Sequence, residues 1–485
     1  MTTSPWDPAP AARTARPCRW GAASRRCASA VSPSEAPPVA DLADVAAQVV
    51  SRAGDDEEVE AYVSRTRDTA VRVYGGDVES LSSAESAGVG VRVVLGDRQG
   101  FAYTGSLDEA DLVDVLAEAR DNAAFATPDE HVGLATPDGV EAASLDLWRP
   151  GLADLPAERK VAMALELEQR VRAGDPRIRQ VESANYGDAS VEAAVASTTG
   201  IAAATRRTAC HLSAYAIAGE GSDTQTGGGY SVGREPDELD LEEAATDAVD
   251  RATRLLGATK ARSTHLTVVF DPRVTTVLLA VVSSALSGEA VLKGRSLFAD
   301  RLGEEVGAST LTLIDDPTDP LAYGAATHDA EGLACRRNVL VQDGVLNRFL
   351  YDTYAGRRAG TASTGSAVRG GFKTAPGVGC RALSLVPGTA SQEEIVASVG
   401  HGLLVQWVTG VHSGVNPISG DFSVGAEGML IRDGALAEPV REVTIASTIQ
   451  RMLGHVVAVG GDLEWLPGIA AGLTLAIGEV SLSGA

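Results

Sequence analysis

The sequence predicts an α+β chain of two domains: an N-terminal α/β domain of helix-flanked antiparallel sheets, and a β-rich C-terminal domain. Three observations carry this. Between residues 41 and 262 the apolar pattern runs helix–strands–helix twice. From His265 onward the texture changes, and Gly and Pro recur every eight to twelve residues among short apolar runs, the spacing of many short strands. A chain of 485 residues is also too long for one ordinary core, and its 44% hydrophobic and 22% charged composition is globular.

Residues 1–40 read as a disordered basic tail. Arg13, Arg16, Arg19, Arg25 and Arg26 outweigh Asp7 and Glu35, a balance of +3 that leaves −27 on the remainder. No apolar run follows this basic start, so it is neither a secretory leader nor a functional twin-arginine signal. A disordered extension, or a start codon set too far upstream, fits it best.

The N-terminal domain, 41–262, divides into candidate subunits at 41–128 and 150–262. Leu42 to Val50 is a short amphipathic helix. Alternating segments follow, with hairpin punctuation at Tyr74-Gly75-Gly76-Asp77 and Gly96-Asp97. Leu107 to Ala124 places Leu112, Val115, Leu116 and Ala119 on one helical face. After a polar, proline-marked connection, Ala157 to Ala173 reads as a helix, Ser190–Thr198 and Cys210–Gly219 as strands, and Glu238 to Leu256 as a helix. The repeated order suggests an internal duplication, with no residue-level repeat behind it. In the C-terminal domain, 263–485, strand HLTVVF leads to Asp271-Pro272, a helix start with proline in the first turn. Val277 to Val282 is apolar on every side, which predicts a fully buried helix.

The acidic body repels a phosphate backbone and excludes nonspecific nucleic-acid binding. The longest uncharged apolar stretch, Val274 to Gly288, is 15 residues, short of a bilayer span. Five scattered cysteines without a CxxC pair indicate neither a disulfide framework nor a zinc knuckle and fit a reducing cytoplasm.

Three stretches carry a family resemblance: LSGEAVLKGRSLFADRLGE, DAEGLACRRNVLVQDGVLNRFLYDTYAGRRAG and NPISGDFSVGAEGMLIRDGALAEPV. Over roughly residues 55 to 485 the chain resembles the zinc-less TldE/PmbA members of the TldD/PmbA (peptidase U62) family. The resemblance implies a heterodimer with a zinc-bearing TldD-like sister that processes unfolded or small peptides in an enclosed cavity. The sister carries HExxxH just upstream of its own KGRSLF. Counting back without gaps from Lys293-Gly294 sets Leu279, Ala280 and Ser284 where first histidine, glutamate and second histidine would stand. Zinc takes imidazole, thiolate or carboxylate donors, with a glutamate to activate water; leucine and alanine offer no donor and serine a poor one. The sister's third ligand is a cysteine near its C-terminus, and this chain has no cysteine after Cys380. The resemblance therefore implies a non-catalytic subunit with no cofactor of its own, zinc in the partner, and no membrane or direct nucleic-acid contact. Histidines at i and i+5 stand about 140° apart on a regular helix, so the sister's ligation needs a local distortion that Leu279 and Ser284 do not. Lys293 and Arg295 could meet a peptide carboxylate, or be a solvated helix end. Asp421 is a further substrate-side candidate, and its local role is expected to be capping the Ser-Gly-Asp turn through its own backbone.

Rival motifs point elsewhere. Gly229 to Gly233 matches GxSxG, but a Gly-rich, flexible loop is expected there instead of the strand–turn–helix of a nucleophile elbow. Gly377 to Ala382 matches GxGxxA without a following helix, and Gly365 to Gly370 lacks the Lys-Ser/Thr of a phosphate loop. His401, His412 and Asp421 are three donors on Gly-rich segments that could in principle rebuild a metal site. A stand-alone peptidase or hydrolase with a rebuilt site, and a regulatory binding protein acting on gyrase or an antitoxin, remain the alternatives.

Overall fold

The computed structural model describes residues 41–484; the basic tail lies outside the described residues. Helix α1 (Leu42–Val50) starts where Asp41 accepts the Ala43 N–H at 2.9 Å. Three long strands follow, β1 (Glu58–Tyr74), β2 (Asp77–Leu95) and β3 (Arg98–Thr104), then helix α2 (Glu109–Phe125). The first hairpin turns on Gly75 and Gly76, both at positive φ, which only glycine adopts without strain.

The second half repeats the plan with helix α3 (Ala157–Gly174), strands β4 (Ile178–Ser197), β5 (Ala202–Ala218) and β6 (Gln225–Gly233), and helix α4 (Leu241–Arg254). Helix α4 begins three residues later than its apolar pattern suggests, because Asp240 caps it by accepting the Glu243 N–H at 2.9 Å. All six strands form one antiparallel sheet in the order β3-β2-β1-β4-β5-β6, so segments 41–128 and 150–262 share it. The two halves are mirrored about the central β1–β4 pair, which runs from Glu60↔Ser197 to Val73↔Ala184.

Helices cover one face of this sheet. Val59, Ala61, Val63, Val89 and Val91 pack under α1 and α2, and Val71, Val73, Ala184 and Leu212 under α3 and α4. Gly227 and Gly229 are required on β6, since a Cβ at either would run into the backbone of α4 at Ala244, Ala248 and Ala252. The GxSxG segment is therefore a strand and not the flexible loop expected of it. Ser231 Oγ accepts the Asp240 N–H at 2.8 Å, so its oxygen serves the start of α4.

The C-terminal part is built on a small barrel. Strand β7 (Thr264–Phe270) pairs in parallel with β8 (His401–Thr409); β8 then pairs antiparallel with β9 (Asp421–Arg432), and β9 with β10 (Ala435–Thr448). Strand β11 (Leu475–Ser483) pairs along its length with β7, and its far end pairs with β10 from Thr444↔Ser483 to Ala446↔Ser481, which closes the ring. Leu266, Val268, Phe270, Leu403, Val405, Val424, Ile445 and Ile477 belong to the large core of this region. Helix α5 (Pro272–Ala285) joins that core through Val274, Leu278, Leu279 and Val282.

The other face of the sheet is clamped to the C-terminal part by a dry ionic cluster. The Arg92 guanidinium donates to Glu60 at 2.9 Å and to Glu331 at 3.2 Å, and all three side chains are 3% exposed or less. Arg369, also fully buried, pairs with Glu60 and lies 4.6 Å over the Tyr62 ring. Glu331 continues the network by accepting the Thr353 N–H and hydroxyl at 2.9 and 2.7 Å.

Candidate functional site

Helix α5 is the place to look, because the zinc-motif positions fall on it. Asp271 caps its first turn by accepting the Arg273 N–H at 3.0 Å, with Pro272 in the first position. One face then carries the large residues into the core, and Leu279 is 1% exposed there. The helix is not buried on every side. Ala280 and Ser284, one turn apart, are exposed, and Thr276 and Val277 are half-buried. Within the apolar run Val277–Val282, the outward residues Val277, Ala280 and Val281 are apolar but not large, so hydrophobicity alone misreports burial.

That open face is one wall of a groove of about 480 Å³. Tyr230 of β6 forms a second wall, and the apolar loop Leu466–Ala470 a third. Trp407 of β8 completes it, 46% exposed. The β8–β9 register slips between Val405 and Trp407, burying Gln406 and turning the indole outward.

Behind the apolar lining is an ionic floor. Arg273 stacks 4.9 Å over Tyr230, pairs with Asp247 at 2.5 Å and donates to the Gly228 carbonyl. Arg251 pairs with Asp271 at 2.9 Å, and its Nε and Nη1, like Arg273 Nε, are buried without a hydrogen-bond partner. Burial pushes up the Tyr230 phenol, with Tyr215 adding to the effect through their hydroxyl contact. Burial likewise raises Glu464, against the pull of Arg273. The positive charges are thus committed to carboxylates, and the groove presents a neutral apolar surface.

The other anticipated residues stand apart from this groove, which is lined without Lys293, Arg295 or Asp421. Lys293 is exposed and pairs with Glu289 one turn back. Arg295 is exposed too, while its neighbours are structural: Ser296 Oγ donates to the Ala285 carbonyl at 2.6 Å and accepts the Phe298 N–H, and Phe298 is 1% exposed. KGRSLF thus ties off the end of α5. Asp421 helps to close its turn through its own backbone, whose N–H donates to Ser419 Oγ at 3.4 Å and whose carbonyl accepts the Asn416 N–H at 2.9 Å. The turn is held by Asn416, whose side-chain oxygen accepts from Ile418 and Ser419 at 2.9 and 3.2 Å, while Asp421 accepts the Ser419 hydroxyl at 2.6 Å. His401 stands opposite Arg432 at one end of β9 and Asp421 is at the other end, about 35 Å away at strand spacing, so they cannot share a metal ion.

Gly377–Val378 is a short strand leading to another at Leu383–Leu385, with no helix to complete a dinucleotide fingerprint. The residues on α5 do not fit a zinc ion either: Leu279 points into the core and its exposed neighbours bring no strong donor. Among the described residues no three His, Cys, Asp or Glu side chains cluster to hold a metal. Nor is any described helix long and apolar enough to cross a membrane.

This pairing of a helix-covered sheet with a closed barrel occurs in solved structures. A candidate modulator of DNA gyrase from Thermotoga maritima superposes with a TM-score of 0.84 at 24% identity, covering 91% of this chain and 99% of that one. TldE from Thermococcus kodakarensis gives 0.82 at 24% identity over 88% and 97%. These likenesses define the fold. The sequence then sets the family: residues 59–123, 150–256 and 263–484 match in order the first, central and C-terminal domains of PmbA/TldA metallopeptidases. The chain belongs to the PmbA/TldD metallopeptidase family. Metalloprotease PmbA of Escherichia coli O157:H7 is 27% identical over 434 residues, 89% of this chain and 93% of that protein.

Proposed function

We propose that this chain is the non-catalytic subunit of a two-protein cytoplasmic peptidase. It pairs with a zinc-bearing TldD-like sister and helps to hold unfolded or small peptides, while hydrolysis takes place on the sister's side chains. One observation carries the reading: where the sister's motif would supply zinc ligands and a base, α5 offers a core leucine and two small exposed residues facing solvent. The zinc of the sister would polarise the scissile carbonyl and activate water. This chain's own contribution is to bind and orient. Strand β6 is the last of its sheet and carries Tyr230 to the groove. An extended peptide added along that edge would satisfy its backbone without sequence-specific pockets, apart from the Gly228 carbonyl that Arg273 already occupies. Alternate side chains would then reach the groove wall of Val277, Trp407 and Ile469.

The test is reconstitution. The purified chain should contain substoichiometric zinc and cleave no unfolded peptide. Activity should appear on mixing with the sister and vanish with chelator. One tightly held zinc per chain, or chelator-insensitive cleavage by this chain alone, would overturn the proposal.

A further inference from the structure

The far end of the barrel carries a second cavity. Strands β7 and β8 begin there at Thr264 and His401, β9 ends there at Arg432, and β11 reaches it at Leu482. The opening encloses about 450 Å³, within the range of small-ligand pockets, and barrel mouths are a recurrent place for such sites. Its floor is apolar and well packed: Leu266, Leu430, Val440 and Leu482 are each 8% exposed or less. Its rim is basic, formed by Lys260, Arg262, His401 and Arg432, with Glu438 as the one carboxylate.

The pairing of these charges decides what the rim can hold. Glu438 is taken by Arg432 at 2.9 Å, and Lys260 pairs with Glu442 at 3.2 Å. Arg262 has no ion-pair partner among the described residues. In a body carrying −27 outside its first 40 residues, an uncommitted guanidinium beside two further cations is a local inversion of sign. A neutral ligand would leave it unused, and a bare inorganic anion would leave the apolar floor uncovered. An anion with an apolar body uses both, its tail removing floor area from water and its oxyanion meeting Arg262 at the rim.

We infer that the barrel mouth binds a small organic anion, a carboxylate or phosphate head on an apolar body. This requires neither the sister protein nor peptide hydrolysis. The full chain is titrated calorimetrically with decanoate, decyl phosphate and the neutral decanol. Both anions should bind at one site per chain, with decanol at least about tenfold weaker; the tighter anion identifies the preferred head group. Arg262→Ala, at an exposed position outside the core, should weaken the anions about fivefold and leave decanol unchanged. Arg432→Ala should weaken them further by freeing the Glu438 carboxylate at the rim, and Arg179→Ala, on the distant sheet, should do nothing. No anion binding at millimolar concentration, decanol binding as tightly as decanoate, or indifference to Arg262→Ala would each overturn the inference.

Discussion

Removing Arg92 should cost this protein more stability than any surface charge, because the residue serves two buried acids at once. Its guanidinium donates to Glu60 at 2.9 Å and to Glu331 at 3.2 Å, in a setting where water reaches almost none of the three. Burial would push Glu60 up, but Arg369 and Arg92 together hold its carboxyl below the ordinary range. In Arg92→Met the methylenes are kept and the charge is lost. Arg369 then remains beside Glu60, and Glu331 is left with only the Thr353 N–H and hydroxyl. Breaking a buried pair by deleting one partner costs about 3–5 kcal/mol, mostly from the charge left behind. If that is the mechanism, adding Glu331→Gln to Arg92→Met should restore a large share of the loss, because the amide needs no counter-ion. Urea denaturation followed by circular dichroism reads both variants. A loss below about 1 kcal/mol for Arg92→Met, or a double variant no better than the single one, would refute the reasoning.

Three further outcomes follow from the same geometry. Burial raises Asp315 from 3.8 to about 6, against the backbone N–H groups of Arg381 and Ala382 that favour its charged form. The folded state therefore holds this proton more tightly than the unfolded chain. This stability is lost as pH rises through about 6, and the difference between wild type and Asp315→Asn should change by about 2 kcal/mol between about pH 4 and about pH 6; a parallel pair of pH–stability curves would contradict this. Gly229→Ala should cost about 1–3 kcal/mol, since α4 must shift to admit the methyl group; thermal unfolding with an unchanged midpoint would count against that packing. Trp407→Ala should lower stability by only about 1 kcal/mol, yet weaken binding of an unfolded peptide about tenfold, as fluorescence anisotropy would show; equal binding would remove the groove from the peptide path.

Much of the N-terminal half was legible because its information is local. Period-two alternation and Gly-Asp turns place both hairpins of the first unit, and helical apolar patterns place α1 and α3, to within a residue or two. The joining of the two units was not legible. It depends on Thr66 facing Val191 across more than a hundred residues, a pairing no local pattern announces. The barrel was equally hidden: short β-rich runs were readable, but ring closure rests on three residue pairs between β10 and β11. At the site, the sequence showed which chemistry Leu279, Ala280 and Ser284 lack. It did not show the groove, because Tyr230, Trp407 and Ile469 come from three separate segments. Trp407 left a faint signal, a tryptophan where the alternation of Leu403 and Val405 predicts an inward residue, and a bulge resolves it by turning the ring out.

The composition of α5 ties these findings together. A helix that ligated a metal through residues five apart would need distortion to bring them to one face. Here the helix bears core side chains at Val274, Leu278 and Val282, four apart, and keeps a regular ladder from Pro272 to Ala285. Leu279 adds to that packing, and full burial of such a side chain is worth about 1.5–3 kcal/mol. The residue that would have to leave the core to bind an ion is thus one the fold now uses for stability. Histidine at 279 would not recreate a ligand, because its ring would enter a packed apolar core; it should destabilise the chain by about 2–5 kcal/mol without raising zinc affinity. Zinc titration of Leu279→His together with Ala280→Glu and Ser284→His decides the point. Tight one-to-one zinc binding by a folded triple variant would show that the helix retains the capacity, and that only the side chains differ.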